Sequence, residues 1–118
     1  MTMLASIFLT SEHAARLADF YIRVVRLPFE RVGGAPGYVY WKCDQAGVQI
    51  AIHDAEAFAT YSYPSLAGSN LTHLYFRIDN QPELLDHLER EGIPPLSTDS
   101  QSITIRDPDG RTVLFGTY

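Results

Sequence analysis

The stretch Leu71-Thr72-His73-Leu74-Tyr75-Phe76-Arg77-Ile78-Asp79 decides how this chain folds. Read as an extended strand, it puts Leu74, Phe76 and Ile78 on one side and His73, Tyr75 and Arg77 on the other. Asp79 or Asn80 then offers a helix cap, and Pro82 and Glu83 suit a first turn. Leu84, Leu85 and Leu88 form the buried face of that helix. Gly92 ends it, and Pro94-Pro95 forbids continuation. Ser102 to Arg106 reads as a strand, Asp107-Pro108-Asp109-Gly110 as a turn and Thr112 to Thr117 as the closing strand. A further strand near Leu96 has room for only a few residues.

The same order occurs nearer the N-terminus. Leu4 to Leu9 is apolar enough for a buried strand. Thr10 or Ser11 is expected to cap the helix that follows, with Glu12 near its positive end. Ala14, Leu17, Ala18, Tyr21, Ile22 and Val25 recur at helical spacing, and Pro28 is the expected stop. Phe29 to Val32 is a short strand and Gly33-Gly34-Ala35-Pro36-Gly37 a turn. Tyr38 to Cys43 and Val48 to His53 form a hairpin around Asp44-Gln45-Ala46-Gly47. Residues 54–70 sustain no periodicity and read as a connector, with one helical turn near Glu56 to Ala59. The expectation is one α+β domain over residues 1–118. Two βαβββ modules, 3–53 and 71–118, form a cupped, largely antiparallel sheet with helices on its outer face.

Composition narrows the function classes. With 46% of its 118 residues hydrophobic and 19% charged, the chain can bury a core and is not a disordered tail. The net charge is -5 and the nine Lys and Arg are scattered, which argues against a nucleic-acid surface. The apolar start, Met1 to Leu9, lacks a basic n-region and is too short for a membrane span. One cysteine, Cys43, suits a reducing compartment. A cytoplasmic protein without membrane contact is expected.

Three stretches together resemble the vicinal oxygen chelate superfamily, which includes glyoxalase I, bleomycin and fosfomycin resistance proteins and extradiol dioxygenases. Asp19 to Phe29 looks like that family's helix ending in FYxxVLGLPF. Thr72 to Asn80 looks like its fifth strand, and Asp107 to Leu114 looks like its closing DPDG hairpin. The resemblance covers essentially the whole chain and is specific for fold rather than for reaction. It implies homodimers, and in metal-dependent members one ligand on each of four strands. Laid onto this chain, those positions fall at Ser6, near Gln49, at His73 and at Leu114. Only His73 is a good ligand, and a divalent ion at a catalytic site needs about three.

Strand alternation and this likeness give a candidate cup wall of Ser6, Phe8, Gln49, Ala51, His53, His73, Tyr75, Arg77, Thr112 and Leu114. Aromatic and apolar surface with a few polar groups suits a small organic ligand. His73 reads as a metal ligand or base, or as a wall histidine bonded to a neighbour. His53, at a strand end, reads as a replacement ligand or as polar surface. Arg77 reads as a carboxylate binder, or as the partner of Asp79 or Glu30. Tyr38, Tyr40 and Trp41 read as a stacking surface or as sheet packing, and Tyr61 and Tyr63 as a lid or a dimer contact. Cys43 has no activating neighbour and is expected to be structural.

The leading expectation is therefore a small-molecule-binding protein of glyoxalase/bleomycin-resistance type that uses no cofactor and lacks the usual metal centre. One alternative is a glyoxalase, dioxygenase or lyase-type enzyme with a divalent metal relocated near His73. Another is a non-catalytic interaction subunit.

Overall fold

The computed structural model describes residues 1, 3–34, 36–58 and 72–117. The chain divides into two compact units, Met1–Gly68 and Ser69–Tyr118. Each holds an α+β module with one open four-stranded sheet.

In the first unit the elements are β1 (Ser6–Ser11), α1 (Ala14–Arg23), β2 (Glu30–Val32), β3 (Tyr40–Gln45), β4 (Val48–Asp54) and α2 (Ala55–Phe58). The second unit repeats the order with β5 (His73–Arg77), α3 (Gln81–Arg90), β6 (Ser97–Thr98), β7 (Ser102–Arg106) and β8 (Thr112–Gly116). The sheet orders, β1-β4-β3-β2 and β5-β8-β7-β6, are the same arrangement twice. Each sheet is mixed: the module's first and last strands pair in parallel and the rest antiparallel. The strand expected near Leu96 is β6, only two residues long.

The core of the first unit follows from alternation. Leu9, Cys43, Ile50 and Ile52 are buried, as are Leu17, Ala18 and Tyr21 of α1. The helix is shorter than its apolar spacing suggests. Val24 is its C-cap, Leu27 N–H returns to the Tyr21 carbonyl at 3.0 Å, and Arg26 takes a left-handed φ of 66°. The reversal comes before Pro28, and the motif this stretch resembles has glycine where Arg26 stands. The buried stripe centres on Leu17, Tyr21 and Val24, so Phe20 is buried and Ile22 is exposed. Ser11 belongs to β1 and does not cap the helix. Its hydroxyl accepts from His13 N–H, and the N-cap residue His13 makes no side-chain cap.

Two turns fix strand positions. Ala46 and Gly47, both at positive φ, form the two-residue link between Gln45 and Val48. Gly33 has φ +82°, and any Cβ there would run into the Tyr38 carbonyl. Only glycine lets the chain fold back so closely before β3.

In the second unit Leu74, Ile103, Ile105, Val113 and Phe115 are buried from the sheet, and Leu84 and Leu88 from α3. Asn80 caps α3, its Oδ1 accepting from Glu83 N–H at 2.9 Å. The Asp107–Gly110 turn is held from inside. Asp107 Oδ1 accepts from the N–H groups of Asp109 and Arg111 at 2.9 and 3.0 Å. The buried Arg111 guanidinium lies 3.3 Å from the Asp107 carboxylate and 3.2 Å from that of Asp109. No described helix is long and apolar enough to cross a membrane. Most of the connector, with Tyr61 and Tyr63, lies outside the described residues.

Candidate functional site

The first unit gathers an aromatic cluster around His53. Alternation along β4 sets Gln49, Ala51 and His53 on the face away from Ile50 and Ile52. The register of β3 places Tyr40 directly opposite His53, and that of β1 places Thr10 opposite on the other side. Phe8 is two residues earlier on β1, on the same face. Tyr38, two residues before Tyr40, arrives from the Gly33 turn. Asp54 Oδ1 accepts from Ala57 N–H at 3.0 Å, and the single turn of α2 brings Phe58 over the strand end.

The imidazole therefore has aromatic neighbours on several sides. It stacks on Tyr40 with centroids 5.0 Å apart and planes 7° apart. Phe8 meets it edge-on at 5.0 Å, and Phe58 is tilted against it at 4.9 Å. Phe8 and Phe58 meet each other at 5.6 Å. Phe8, Tyr38, His53 and Phe58 line a cavity of about 350 Å³. Phe8 is 53% exposed although it is a large apolar side chain on an otherwise ordered strand.

His53 is 9% exposed. Its Nδ1 lies 2.8 Å from the Tyr38 hydroxyl and shares a hydrogen bond with it. Its Nε2 is buried and has no hydrogen-bond partner among the described residues. Burial pushes the imidazole below the ordinary histidine value of 6.5, so the ring is neutral at physiological pH. A neutral imidazole has one donor and one acceptor nitrogen, and Tyr38 engages only one of them.

The remaining candidate residues separate into two groups. Ser6 and Gln49 are register partners at the far end of β1 and β4, with Asp44 of β3 opposite Gln49. Ala51 is fully buried and presents no surface. In the second unit His73, Tyr75 and Arg77 share one exposed side of β5, opposite Thr112, Leu114 and Gly116. Tyr75, 43% exposed, lies over Gly116, where a Cβ would come within 2.5 Å of its hydroxyl. Arg77 makes no ion pair among the described residues, and Glu30 is engaged by Lys42 at 3.6 Å. Trp41 pairs with Ile52, on the opposite face from His53, and so does not join the cluster. Cys43 is buried, which pushes its thiol up and leaves it unreactive.

The donor set does not fit the metal that the fold family implies. The resemblance lays its four ligand positions onto Ser6, Gln49, His73 and Leu114, of which only His73 carries a usual ligand, and the described residues contain no group of three or more His, Cys, Asp or Glu able to hold an ion.

Comparison with solved structures places the fold. A lactoylglutathione lyase from Agrobacterium tumefaciens matches 99% of this chain and 94% of its own, with TM-score 0.72 and 20% identity. A glyoxalase/bleomycin resistance protein/dioxygenase family enzyme from Burkholderia phytofirmans matches 98% of each chain, with TM-score 0.70 and 15% identity. The chain has the vicinal oxygen chelate fold. An antibiotic binding protein from Streptomyces has it too, with TM-score 0.66 and 17% identity over 99% of this chain and 96% of its own. No family model and no curated protein matches the sequence. These likenesses show the fold, which hosts more than one kind of activity.

The sequence expectation put Phe8 and His53 on one face, and the structure brings them together. His53, read as a replacement ligand or as polar surface at a strand end, is buried. Phe58 carried no signal, because a four-residue helix shows no periodicity.

Proposed function

We propose that this chain is a small-molecule-binding protein whose ligand seats against His53, and that it works without a divalent metal at the Ser6, Gln49, His73 and Leu114 positions. The observation that carries this reading is the buried Nε2 of His53, left without a described protein partner beside an apolar cavity of about 350 Å³. An unsatisfied buried polar atom costs a fold about 1–3 kcal/mol. Such a cost is retained where a ligand removes it, and cavities of this size and lining suit small organic molecules. The Streptomyces antibiotic binding protein supports the reading in one respect: its fold is compatible with binding as an end in itself. A homodimer belongs to the same reading, since relatives with this fold are expected to assemble in pairs.

The test is a screen of small neutral ring compounds by protein-observed NMR on protein purified without chelator. Metal content is measured on the same sample. The reading expects hits that shift the ring signals of Phe8, Tyr38, His53 and Phe58, with no stoichiometric ion. Hits that leave those signals unmoved, or an ion held through His73, would contradict it.

A further inference from the structure

The chemistry of the His53 cluster narrows the ligand beyond its size, granted the reading that this cavity binds a small molecule. A phenol hydroxyl is a strong donor and a weak acceptor, and an imidazole nitrogen is a strong acceptor. Tyr38 O–H therefore donates to Nδ1 across the 2.8 Å contact, which leaves the hydrogen on Nε2. The free position is a donor, and it calls for an acceptor on the ligand.

The described neighbours within this unit do not suit a charged acceptor. Phe8, Tyr38, Tyr40 and Phe58 bring no cation to the site. A carboxylate there would lose its water with nothing to replace it. The nearest lysine along the sheet face, Lys42, is already engaged by Glu30. The neighbours are flat rings, and the two phenylalanines stand edge-on or tilted to the imidazole at about 5 Å. A flat ring sliding between them meets π-faces and edges rather than branched aliphatic groups. Nε2 is closed from solvent, so a ligand reaches it only if a neighbouring ring turns. Phe8 is exposed enough to do so within its own rotamers.

We infer that the site takes a neutral, planar, carbonyl-bearing ring compound, its ring against Phe8 and Phe58 and its carbonyl oxygen accepting from His53 Nε2–H. Tyr38 is a positioning residue here, since it sets the tautomer without touching the ligand carbonyl.

Three probes of similar outline test this: coumarin, naphthalene and coumarin-3-carboxylate. Dissociation constants come from NMR titration, with the ¹⁵N signals of His53 followed by specific labelling. Coumarin is expected to bind about tenfold more tightly than naphthalene, the gain of one hydrogen bond to a buried donor. Coumarin-3-carboxylate is expected to bind more weakly than coumarin, and Nε2 to keep its protonated-nitrogen shift while moving with coumarin. His53→Phe should remove the advantage of coumarin over naphthalene when both are measured on that variant. Tyr38→Phe should narrow the advantage of coumarin over naphthalene and bring in the second tautomer. If His53→Phe does not fold, the three probes on the native chain still decide. Naphthalene binding as tightly as coumarin, or the carboxylate binding most tightly, overturns the ligand class while the small-molecule reading stands. If no probe moves any signal of the cluster, both fall.

Discussion

The Tyr38 hydroxyl lies 2.8 Å from His53 Nδ1, and the imidazole it holds is neutral, flat against Tyr40 and, among the described residues, short of one partner. That relationship ties the turn before β3 to the end of β4. It also gives the protein a pH dependence. His53 is lowered below 6.5 by burial in the folded state, while the unfolded chain titrates at about 6.5. As pH falls the unfolded chain takes up the proton first. The stability linked to neutral His53 is complete above pH of about 6.5 and is lost as pH drops from there through the lowered folded value. Urea unfolding between pH 7.5 and 5.5 should therefore fall more steeply for the native chain than for His53→Phe, by at most about 1.4 kcal/mol per pH unit. Parallel slopes would show that His53 titrates alike in both states.

Gly33→Ala should damage the fold and the site together. The new methyl meets the Tyr38 carbonyl, and φ of +82° suits no alanine. A cost of about 1–3 kcal/mol is expected in urea unfolding. The Tyr38 and His53 ring signals should move more than those of Phe20 or Tyr21, which belong to α1. Equal movement at both places would mean a general loosening.

Arg111→Ala removes one side of a buried ion pair. Asp107 keeps its bonds from the Asp109 and Arg111 N–H groups but loses its counter-charge. Loss of one partner of a buried pair costs about 3–5 kcal/mol. Thermal melting should show a large fall in Tm, and Asp107→Asn, which preserves the turn's shape, a smaller one. A change within experimental error would mean that the pair is not held in solution.

Excess Zn²⁺ should leave Tm unchanged, because an ion stabilises only what it binds in the folded state. The positions that the resemblance pairs with His73 carry Ser6, Gln49 and Leu114, which are not the donors such an ion uses. A rise in Tm that disappears in His73→Ala would restore the metal reading.

Much of the fold was legible because its signals are local. Asn80 ahead of Pro82 and Glu83, the Asp107–Gly110 turn and the alternation of residues 73–78 each announce an element within a few residues. The end of α1 was not legible. Apolar spacing carries on to Val25, and the reversal rests on Arg26 in a conformation that arginine does not advertise. The candidate site was half legible. Strand alternation sets Phe8 and His53 on one face, and Tyr38 and Tyr40 are two apart. Burial of His53 depends on register between β1, β3 and β4 and on Phe58 returning from α2, and those are tertiary facts. His73, the most conspicuous residue by resemblance, lies on an exposed strand side with Thr112 opposite and no acidic partner among the described residues.

The two histidines thus mark rival centres, and one comparison separates them. Affinity for coumarin is measured on the native chain, on His53→Phe and on His73→Ala, each checked for intact fold by far-ultraviolet circular dichroism. The account predicts a loss of about tenfold in His53→Phe and no change in His73→Ala. Binding that survives in His53→Phe and vanishes in His73→Ala would contradict it.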